Sequence, residues 1–559
     1  MSLARHVDPE DIIHHLSDND NHPRNRGHQG PHLTPYSSAY ASQRDIPKYN
    51  IPKEGAPADT VYSMIKDELN LDGRPTLNLA SFVNTNIEER AEQLMMENMV
   101  KNLSDNDEYP AMLTMSERCV SILAHLWGVQ KGEKAIGAPT VGSSEAIHLG
   151  GLAMKRRWQE RRRAAGKDTL KPNILMGANA QVALEKFARY FDVEARVLPV
   201  SAKHGFHLDA ESVRNNIDEN TIGVFVILGS TYTGHYEPVE DISKVLDEFE
   251  EKTGHDIPIH VDAASGGFIA PFTYAGTGDK KWNFELPRVK SINTSGHKYG
   301  LVSAGLGWII WRDESYLPKD LIFELHYLGG TEQSFTLNFS RPGAQVIVQY
   351  FNLIHLGFNG YREVMENCLA NARLLSKSLE ATGWYTCVSE IHKPASSSSP
   401  TNGNGNGDSK QQEGEQKITS ANYIPGLPVV AFHLTDQFKN KYPHIKQETI
   451  SVLMRARQWI IPNYALPPNE SQTEILRVVV RNSMSFDLLD KLVTDLVQVT
   501  EQLMEHDEID MNTLVRGQYK RTPKLRHDAE GKAKEKEKVV EKFMGQGKRM
   551  DEGIHRSVC

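Results

Sequence analysis

The feature that most constrains the fold of this chain is a strand-like run that ends in a glycine-rich turn carrying one lysine. The run extends from Val289 to Gly300 with the sequence VKSINTSGHKYG, and its lysine is Lys298. Upstream, the segment IPIHVDAASGG from Ile257 to Gly267 predicts a buried strand whose carboxyl end delivers Asp262. The small residues after this aspartate leave room for a flat group to lie against the backbone.

A strand-end aspartate followed by a lysine in such a turn is what a pyridoxal phosphate site requires. The lysine amine forms a Schiff base with the cofactor, and the carboxylate pairs with the pyridinium nitrogen. Each residue alone has an ordinary structural explanation, Lys298 as a capping or salt-bridge residue and Asp262 as a turn or N-cap residue. Their occurrence together, with a Gly-Ser-Ser turn further upstream, favours the cofactor site.

The Gly-Ser-Ser turn opens a predicted long helix in the segment TVGSSEA, from Thr140 to Ala146. Small residues before a helix leave backbone N–H groups free, and the helix dipole favours an anion there. Ser143 and Ser144 add hydroxyl donors, so the turn is a candidate phosphate site. Taken by itself, the same pattern also forms a plain helix cap.

Composition narrows the class of protein. With 559 residues the chain can bury a large core and form two or three domains. The net charge of −9 argues against nucleic acid as a partner, and no run approaches the length of a transmembrane span. The four cysteines are scattered, and the first residues lack the pattern of a secretory or transit peptide. We therefore expect a cytoplasmic protein without structural disulfides, metal or membrane attachment.

Short apolar runs alternate with helical patterns between residues 173 and 240. This alternation predicts an α/β fold with a mostly parallel sheet covered by helices on both faces. Ligands of such sheets bind beyond the carboxyl ends of the strands, where Thr231 and Asp262 both fall. We divide the chain into a mobile arm (residues 1–57), a large cofactor-binding domain (58–345), a small C-terminal α/β domain (346–515) with a disordered insertion at about 395–416, and a basic tail (516–559).

These segments together resemble the glutamate decarboxylases of the group II pyridoxal-phosphate-dependent decarboxylase family. The similarity extends from about Ser63 to about Asp487. It implies a fold-type I enzyme that converts L-glutamate to 4-aminobutanoate and carbon dioxide, through a Schiff base on Lys298 and a quinonoid intermediate. It also implies that Lys298 or Tyr327, in the Gly-flanked loop HYLGGT, returns a proton to the α-carbon of the substrate.

The resemblance implies roles for further residues around pyridoxal 5'-phosphate. Gln181 would cover one face of the ring and Ala264 the other, and many relatives that act on aromatic amino acids carry His where Gln181 stands. Thr231 and His297 would contact the cofactor. The phosphate-binding residues implied are Ser143, Ser144 and Ser295, with Ser340 reaching the cofactor phosphate of the partner subunit.

Substrate contacts are implied at both ends of the chain. Ser81 and Phe82 would receive the distal carboxylate, and Asn102 and Asp105 would contribute from a second subunit, which makes the protein a dimer at least; hexamers occur among relatives. For these four residues, ordinary loop roles are an equal alternative. Arg477 is the candidate for the substrate carboxylate because arginine grips carboxylates in a bidentate manner, with a structural ion pair as the alternative.

Two other functions compete with this interpretation. A different pyridoxal phosphate reaction, such as carbon–carbon lyase or aromatic amino acid decarboxylase chemistry, would be favoured by loss of Gln181 and of the loop NLASF from Asn78 to Phe82. A catalytically silent binding protein would be marked by loss of Lys298 or Asp262. All of these residues are present.

The tail is basic although the whole chain is acidic. Between Lys532 and Arg556, the apolar residues Val539, Val540 and Phe543 fall at helical spacing among charges. A basic amphipathic helix is typical of calmodulin targets, and plant glutamate decarboxylases carry a calmodulin-binding extension at this place. The tail has no tryptophan anchor and contains interspersed glutamates, so a solvated charged extension is the favoured alternative.

Overall fold

The computed structural model describes residues 49–53, 55–105, 107–274, 280–325, 332–395 and 419–505. The described residues divide into two units between Pro75 and Thr76. The first unit contains helix α1, Ala58–Leu69. Apolar residues recur at helical spacing from Val61 to Leu69, a pattern that predicts a helix here. The strands and the remaining α-helices described below belong to the second unit.

A seven-stranded sheet forms the centre of the second unit. Its strands are β1 Ile136–Thr140, β2 Asn173–Gly177, β3 Glu194–Leu198, β4 Thr221–Ile227, β5 Ile259–Asp262, β6 Val289–Thr294 and β7 Gly307–Trp311. The spatial order is β1-β7-β6-β5-β4-β2-β3. Strands β3, β2, β4, β5 and β6 are parallel, whereas β7 runs antiparallel to both β6 and β1. The mostly parallel sheet predicted from the sequence is confirmed, and the carboxyl ends of β4, β5 and β6 meet at one edge.

Helices cover both faces of this sheet. The second unit contains α2 Glu89–Glu97, α3 Pro110–Leu126, α4 Ser143–Ala164, α5 Val182–Tyr190, α6 Ala210–Arg214, α7 Val239–Thr253, α8 Ala270–Thr273, α9 Ala344–Ala381, α10 Asp436–Lys441, α11 Gln447–Ala456 and α12 Phe486–Glu505. Successive residues of β4 alternate between two cores: Val224 packs with α3 and α7 residues, and Phe225 packs with residues of α4 and α5. The strand is apolar on both faces because each face is covered.

A second, four-stranded sheet follows toward the carboxyl end. It is antiparallel, in the order β10-β11-β13-β12, with β10 Tyr385–Cys387, β11 Val429–Leu434, β12 Asn463–Ala465 and β13 Glu474–Val479. A short hairpin of β8 Phe323–Leu325 and β9 Glu332–Ser334 lies between the two sheets in the chain. The described chain also contains short 3₁₀ helices at Pro75–Leu77, Ala202–His204, Gly266–Phe268, Glu314–Tyr316, Lys319–Leu321, Ser420–Asn422 and Pro468–Glu470.

Helix α9 connects the two sheets and belongs to both cores. The sequence predicts a helix ending near Leu356, and the backbone breaks at Gly357, where φ is +58°, before helical structure continues to Ala381. Glycine tolerates this left-handed conformation because it has no Cβ. Val346 packs in the large core, and Leu375 packs in the small one. Because one helix contributes to both cores, these contacts do not mark a boundary, and the domain boundary at 345/346 stays a prediction.

Several predictions lie outside the described residues. They concern residues 1–48 of the N-terminal arm, Tyr327 and its loop, the insertion from residue 396 onward, and the tail with its calmodulin-binding segment. No helix that the structure describes is long and apolar enough to cross a bilayer. Within the same residues, no cluster of three or more His, Cys, Asp or Glu side chains could hold a metal ion. Cys119, Cys368 and Cys387 are buried free thiols.

Candidate active site

A cavity of about 300 Å³ lies where the carboxyl ends of β4, β5 and β6 face the amino end of α4. Its volume is at the lower end of the range for small-ligand sites, about 300–1,000 Å³. Nine residues predicted from the sequence line it together: Ser143, Ser144, Gln181, Thr231, Asp262, Ala264, Ser295, His297 and Lys298. These residues come from five separate parts of the chain, and the sheet topology brings them to one place.

Lys298 and Asp262 face the same cavity. Lys298 lies in the turn after β6 and is 9% exposed, and Asp262 ends β5 and is 4% exposed. The Lys298 Nζ atom lies 3.4 Å from the hydroxyl oxygen of Ser265 and 5.2 Å from the centre of the Phe82 ring. An amine and a carboxylate are thus presented to one enclosed volume, as the two strand predictions require.

The Asp262 carboxylate is held by donors on its protein side. Its Oδ1 atom accepts hydrogen bonds from the Asn293 side-chain amide at 2.9 Å and from the Ala264 backbone N–H at 3.1 Å. Burial raises the pKa of Asp262 above its ordinary value, and the Asn293 amide, the Lys298 charge and the Ala264 N–H act against that rise. A cationic partner in the cavity would favour the ionised carboxylate further.

Asn293 itself belongs to a buried polar chain that the sequence analysis missed. The His260 Nε2 atom lies 2.7 Å from Asn293 Oδ1, and His260 Nδ1 lies 2.7 Å from the Ser291 hydroxyl oxygen. His260, Ser291 and Asn293 are at most 1% exposed. The sequence did contain a signal for this chain, since these three polar residues occur in two strands that are otherwise apolar. Polar side chains in buried strands need hydrogen-bond partners, so such residues are expected to bond to one another.

The other end of the cavity is suited to an anion. The hydroxyl oxygens of Ser143 and Ser295 lie 2.7 Å apart at the amino end of α4, where helical N–H groups have no partner within the helix. The Glu145 carboxylate fixes this turn by accepting from the Val141 N–H at 2.8 Å. A Cβ atom on Gly307 of β7 would lie 2.5 Å from the Gly142 carbonyl carbon, so β7 can pass behind the turn only as glycine.

The remaining lining residues have defined local contacts. Gln181 caps α5, and its Oε1 accepts from the Ala183 N–H at 2.6 Å. His297 Nδ1 accepts from the Leu306 N–H at 3.3 Å. Burial and the neighbouring Lys298 charge lower the pKa of His297 to about 4, so its imidazole is neutral near pH 7. Thr231 follows β4 and lines the cavity beside Asp262.

Arg477 lies on β13 of the small sheet and reaches the loops around the cavity. One Nη atom donates to the Thr231 carbonyl at 2.8 Å, and the other donates to the Ala80 carbonyl. The guanidinium carbon lies 5.1 Å from the centre of the Phe82 ring. Ser81, next to Phe82, accepts from the Val83 N–H at 3.1 Å. Both Nη atoms of Arg477 are bound to backbone carbonyls, and its role toward substrate stays a prediction.

Three predicted residues form a separate cluster. The Asn102 side-chain amide lies 3.3 Å from both the Ser340 hydroxyl oxygen and the Asp105 carboxylate. Asn102 Oδ1 also accepts from the Arg341 N–H at 3.1 Å. None of the three is among the residues that line the cavity of this chain, and Ser340 is exposed. The structure therefore joins them to one another and not to the cavity.

The pattern of donors fits pyridoxal phosphate. Two serine hydroxyls and a helix amino end converge at one end of the cavity, an amine stands in its wall, and a buried carboxylate faces it from β5. The charge of Lys298 acts on this carboxylate and favours its ionised form. A phosphate, an aldehyde carbon and a protonated ring nitrogen are the groups that match these three features.

Comparisons with known proteins agree with this chemistry. Residues 52–397 match the pyridoxal-dependent decarboxylase conserved domain. The chain is 48% identical to a glutamate decarboxylase of Saccharomyces cerevisiae, over 86% of this chain and 83% of the yeast protein. It is 45% identical to one of Petunia hybrida, over 84% and 85% respectively. A solved structure of Lactobacillus brevis glutamate decarboxylase superposes with a TM-score of 0.74 at 36% identity, covering 84% of this chain and 97% of that one.

Proposed function

The chain belongs to the pyridoxal-dependent decarboxylase family, and on that premise we propose that Lys298 and Asp262 carry the decarboxylation of L-glutamate to 4-aminobutanoate and carbon dioxide. The reaction follows from the relatives named glutamate decarboxylase, which match most of this chain. The observation that carries the residue assignment is the shared cavity of Lys298, Asp262 and the Ser143–Ser295 pair.

Pyridoxal 5'-phosphate, when bound, supplies a sink for the electron pair that carbon dioxide leaves behind. Lys298, whose amine stands in the cavity wall, would hold the cofactor. The Phe82 ring lies near Lys298 Nζ, and an apolar ring in this position would exclude water from one side of the amine. Such exclusion strengthens the charge interactions inside the site because the local dielectric is low.

Asp262 holds a proton at the ring nitrogen of the cofactor. Its carboxylate is buried and accepts two hydrogen bonds on the protein side, which leaves the other oxygen for the ring. Ser143, Ser144 and Ser295 donate to the phosphate together with the amino end of α4. Gln181 and Ala264 would cover the two faces of the ring, and Thr231 and His297 would contact the cofactor.

Substrate binding uses the loop that carries Ser81 and Phe82 together with Arg477 on β13 of the small sheet. Ser81 and Phe82 receive the distal carboxylate of glutamate, and Arg477 pairs with a substrate carboxylate. Both Nη atoms of Arg477 already donate to the Thr231 and Ala80 carbonyls, so this assignment rests on the ability of arginine to bind carboxylates and requires Arg477 to exchange these partners for the substrate. After carbon dioxide leaves, Lys298 Nζ or the Tyr327 hydroxyl delivers a proton to the α-carbon.

The active protein is a homo-oligomer, a dimer at least. Asn102, Asp105 and Ser340 form one cluster that does not line the cavity of their own chain. The polar, partly exposed nature of this cluster supports a role in the site of a second copy, where Ser340 would reach the cofactor phosphate of the partner subunit.

Cytoplasmic localisation is supported by the three buried free cysteines, because reducing compartments keep thiols unpaired.

The direct test is to incubate the purified full-length protein with pyridoxal 5'-phosphate and L-glutamate and to measure the products. We expect 4-aminobutanoate and carbon dioxide in equal amounts. Phenylalanine and tryptophan serve as competing substrates, and Lys298→Ala is the matched inactive control. Turnover of the aromatic amino acids in preference to glutamate would contradict the substrate assignment. Equal product formation by Lys298→Ala would contradict the residue assignment.

A further inference from the structure

A continuous chain of hydrogen bonds extends from the Asp262 carboxylate into the core. Asn293 donates to Asp262 Oδ1 at 2.9 Å, His260 Nε2 lies 2.7 Å from Asn293 Oδ1, and the Ser291 hydroxyl lies 2.7 Å from His260 Nδ1. Asp262 and His260 are on β5, and Asn293 and Ser291 are on the neighbouring strand β6. All four residues are buried.

The chemistry of the four groups fixes the direction of every bond. An ionised carboxylate only accepts, so the Asn293 amide nitrogen must point at Asp262 and its oxygen at His260. His260 must then carry its proton on Nε2. Burial lowers the pKa of His260 to about 4, so the ring is neutral near pH 7 and Nδ1 accepts from the Ser291 hydroxyl. Each donor thus points toward Asp262.

Packing fixes the imidazole in this position. A Cβ atom on Gly150 of α4 would lie 2.5 Å from both Cε1 and Nδ1 of His260, so only glycine leaves room for the ring. The Phe225 ring meets the imidazole edge-on, with ring centres 5.4 Å apart. The imidazole is therefore held in place. If the Asn293 side-chain amide were turned by about 180°, its N–H group would face the N–H group of His260, and neither could accept a hydrogen bond.

We propose that Asn293, oriented by His260, is a positioning residue that presents Asp262 as an ionised acceptor to the ring nitrogen of the cofactor. This inference rests on the proposed function for the presence of the cofactor. Neither residue lines the cavity, so their effect on the reaction is exerted through Asp262. Replacing Asn293 removes a donor to a carboxylate, which makes that carboxylate more basic. The shared proton then moves from the ring nitrogen toward Asp262.

The test compares full-length variants loaded with pyridoxal 5'-phosphate that is isotopically labelled at its ring nitrogen. Solid-state NMR of that nitrogen, recorded without glutamate, reports whether the ring carries a proton. In Asn293→Leu we expect the signal to shift toward the unprotonated ring. The kcat should fall about tenfold or more, as for loss of one hydrogen bond to a charged group, while the KM for glutamate changes little.

Asn173→Leu is the matched control. Asn173 is also fully buried, donates to the Asp218 carboxylate at 2.9 Å and accepts from the Thr221 hydroxyl at 2.8 Å. It lies at the amino end of β2, at the opposite edge of the sheet from the cavity. This variant should lose stability as Asn293→Leu does but keep the ring-nitrogen signal of the wild type.

A second pair of variants tests the outer half of the chain. His260→Gln retains a side-chain N–H that can donate to Asn293, whereas His260→Leu does not. We expect His260→Leu to shift the ring-nitrogen signal as Asn293→Leu does, and His260→Gln to recover most of the wild-type signal. This pair decides the question if Asn293→Leu does not fold.

The proposal is overturned if Asn293→Leu keeps the wild-type ring-nitrogen signal, or if Asn173→Leu shifts it equally. It is also overturned if His260→Gln and His260→Leu give the same signal. These outcomes do not depend on the substrate assignment, because the signal is measured without glutamate. Failure of the wild type to form 4-aminobutanoate would contradict the function and leave the ring-nitrogen comparison unchanged.

Discussion

The hydroxyl oxygens of Ser143 and Ser295 lie 2.7 Å apart, although 152 residues separate them in the chain. Ser143 is the first residue of α4, and Ser295 follows the last residue of β6. The turn that carries Lys298 is thereby placed against the helix end proposed to bind phosphate. This pair of side chains connects the turn that carries Lys298, the proposed anchor of the cofactor, to the proposed phosphate site.

Ser143→Ala should weaken cofactor binding about tenfold without unfolding the protein. The change removes one hydroxyl donor to a charged group, which contributes about 1.5–3 kcal/mol, and the helix amino end remains. Cofactor affinity is measured by fluorescence titration of the apoprotein, with Ser201→Ala, a serine outside the cavity lining, as control. Equal affinity of Ser143→Ala and wild type would remove this residue from the phosphate site.

Lys298→Ala should lose both turnover and the visible absorption band of the covalently held cofactor. The reason is that Lys298 is the lysine among the residues lining the cavity. Far-ultraviolet circular dichroism and the melting temperature should stay near wild type, because the side chain lines the cavity and is not part of the apolar cores. A retained visible band would show that another lysine carries the cofactor.

Asp262→Asn should bind the cofactor and lose most of the decarboxylation rate. A neutral amide cannot stabilise the proton on the ring nitrogen as a carboxylate does, and loss of a charge-assisted hydrogen bond costs about 1.5–3 kcal/mol before any effect on the electron sink. The kcat and the cofactor affinity of Asp262→Asn are each compared with those of the wild type, and we expect the kcat to fall much further than the affinity. A rate near that of the wild type would mean that the ring nitrogen has a different partner.

Mixing two inactive variants should restore activity if the site is shared between subunits. Lys298→Ala removes the cofactor anchor in its own chain, and Asp105→Leu disrupts the cluster of Asn102 and Ser340. After dissociation and reassociation, mixed dimers would contain one site with a native lysine and a native partner cluster. Random pairing makes about half of the dimers mixed, and each mixed dimer has one intact site of two. The recovered activity should therefore reach at most about a quarter of the wild-type activity.

Sedimentation of the wild type at assay concentration provides the second measurement. Activity in a fraction that sediments as a monomer would contradict the shared site. So would a mixture of the two folded variants that recovers no activity. The control for subunit exchange is a mixture of two differently tagged wild-type samples.

A peptide covering Lys532 to Arg556 should bind calcium-loaded calmodulin with micromolar or better affinity if the tail is a regulatory element. The basic residues and the apolar stripe around Val539 and Phe543 are the features that calmodulin recognises. Isothermal calorimetry with and without calcium measures this, and deletion of residues 516–559 should make activity insensitive to calmodulin. No heat of binding, with a full-length enzyme indifferent to calmodulin, would identify the tail as a solvated extension.

The sequence by itself determined the site's local chemistry. The predictions for Asp262 and Lys298 depended on short patterns, a buried strand followed by small residues and a strand followed by a glycine-rich turn. Such patterns are readable because hydrophobic periodicity and turn residues act within a few positions of the chain. The mostly parallel sheet was predicted for the same reason, from strands that alternate with helices between residues 173 and 240.

Only the tertiary structure decided which distant groups meet. The antiparallel direction of β7, the continuation of α9 past Gly357 and the Ser143–Ser295 contact all depend on packing between segments far apart in sequence. The same holds for the chain from Ser291 through His260 and Asn293 to Asp262. In the sequence these are polar residues in apolar strands. They become a directed chain of donors because β5 and β6 are adjacent and the four buried side chains bond to one another.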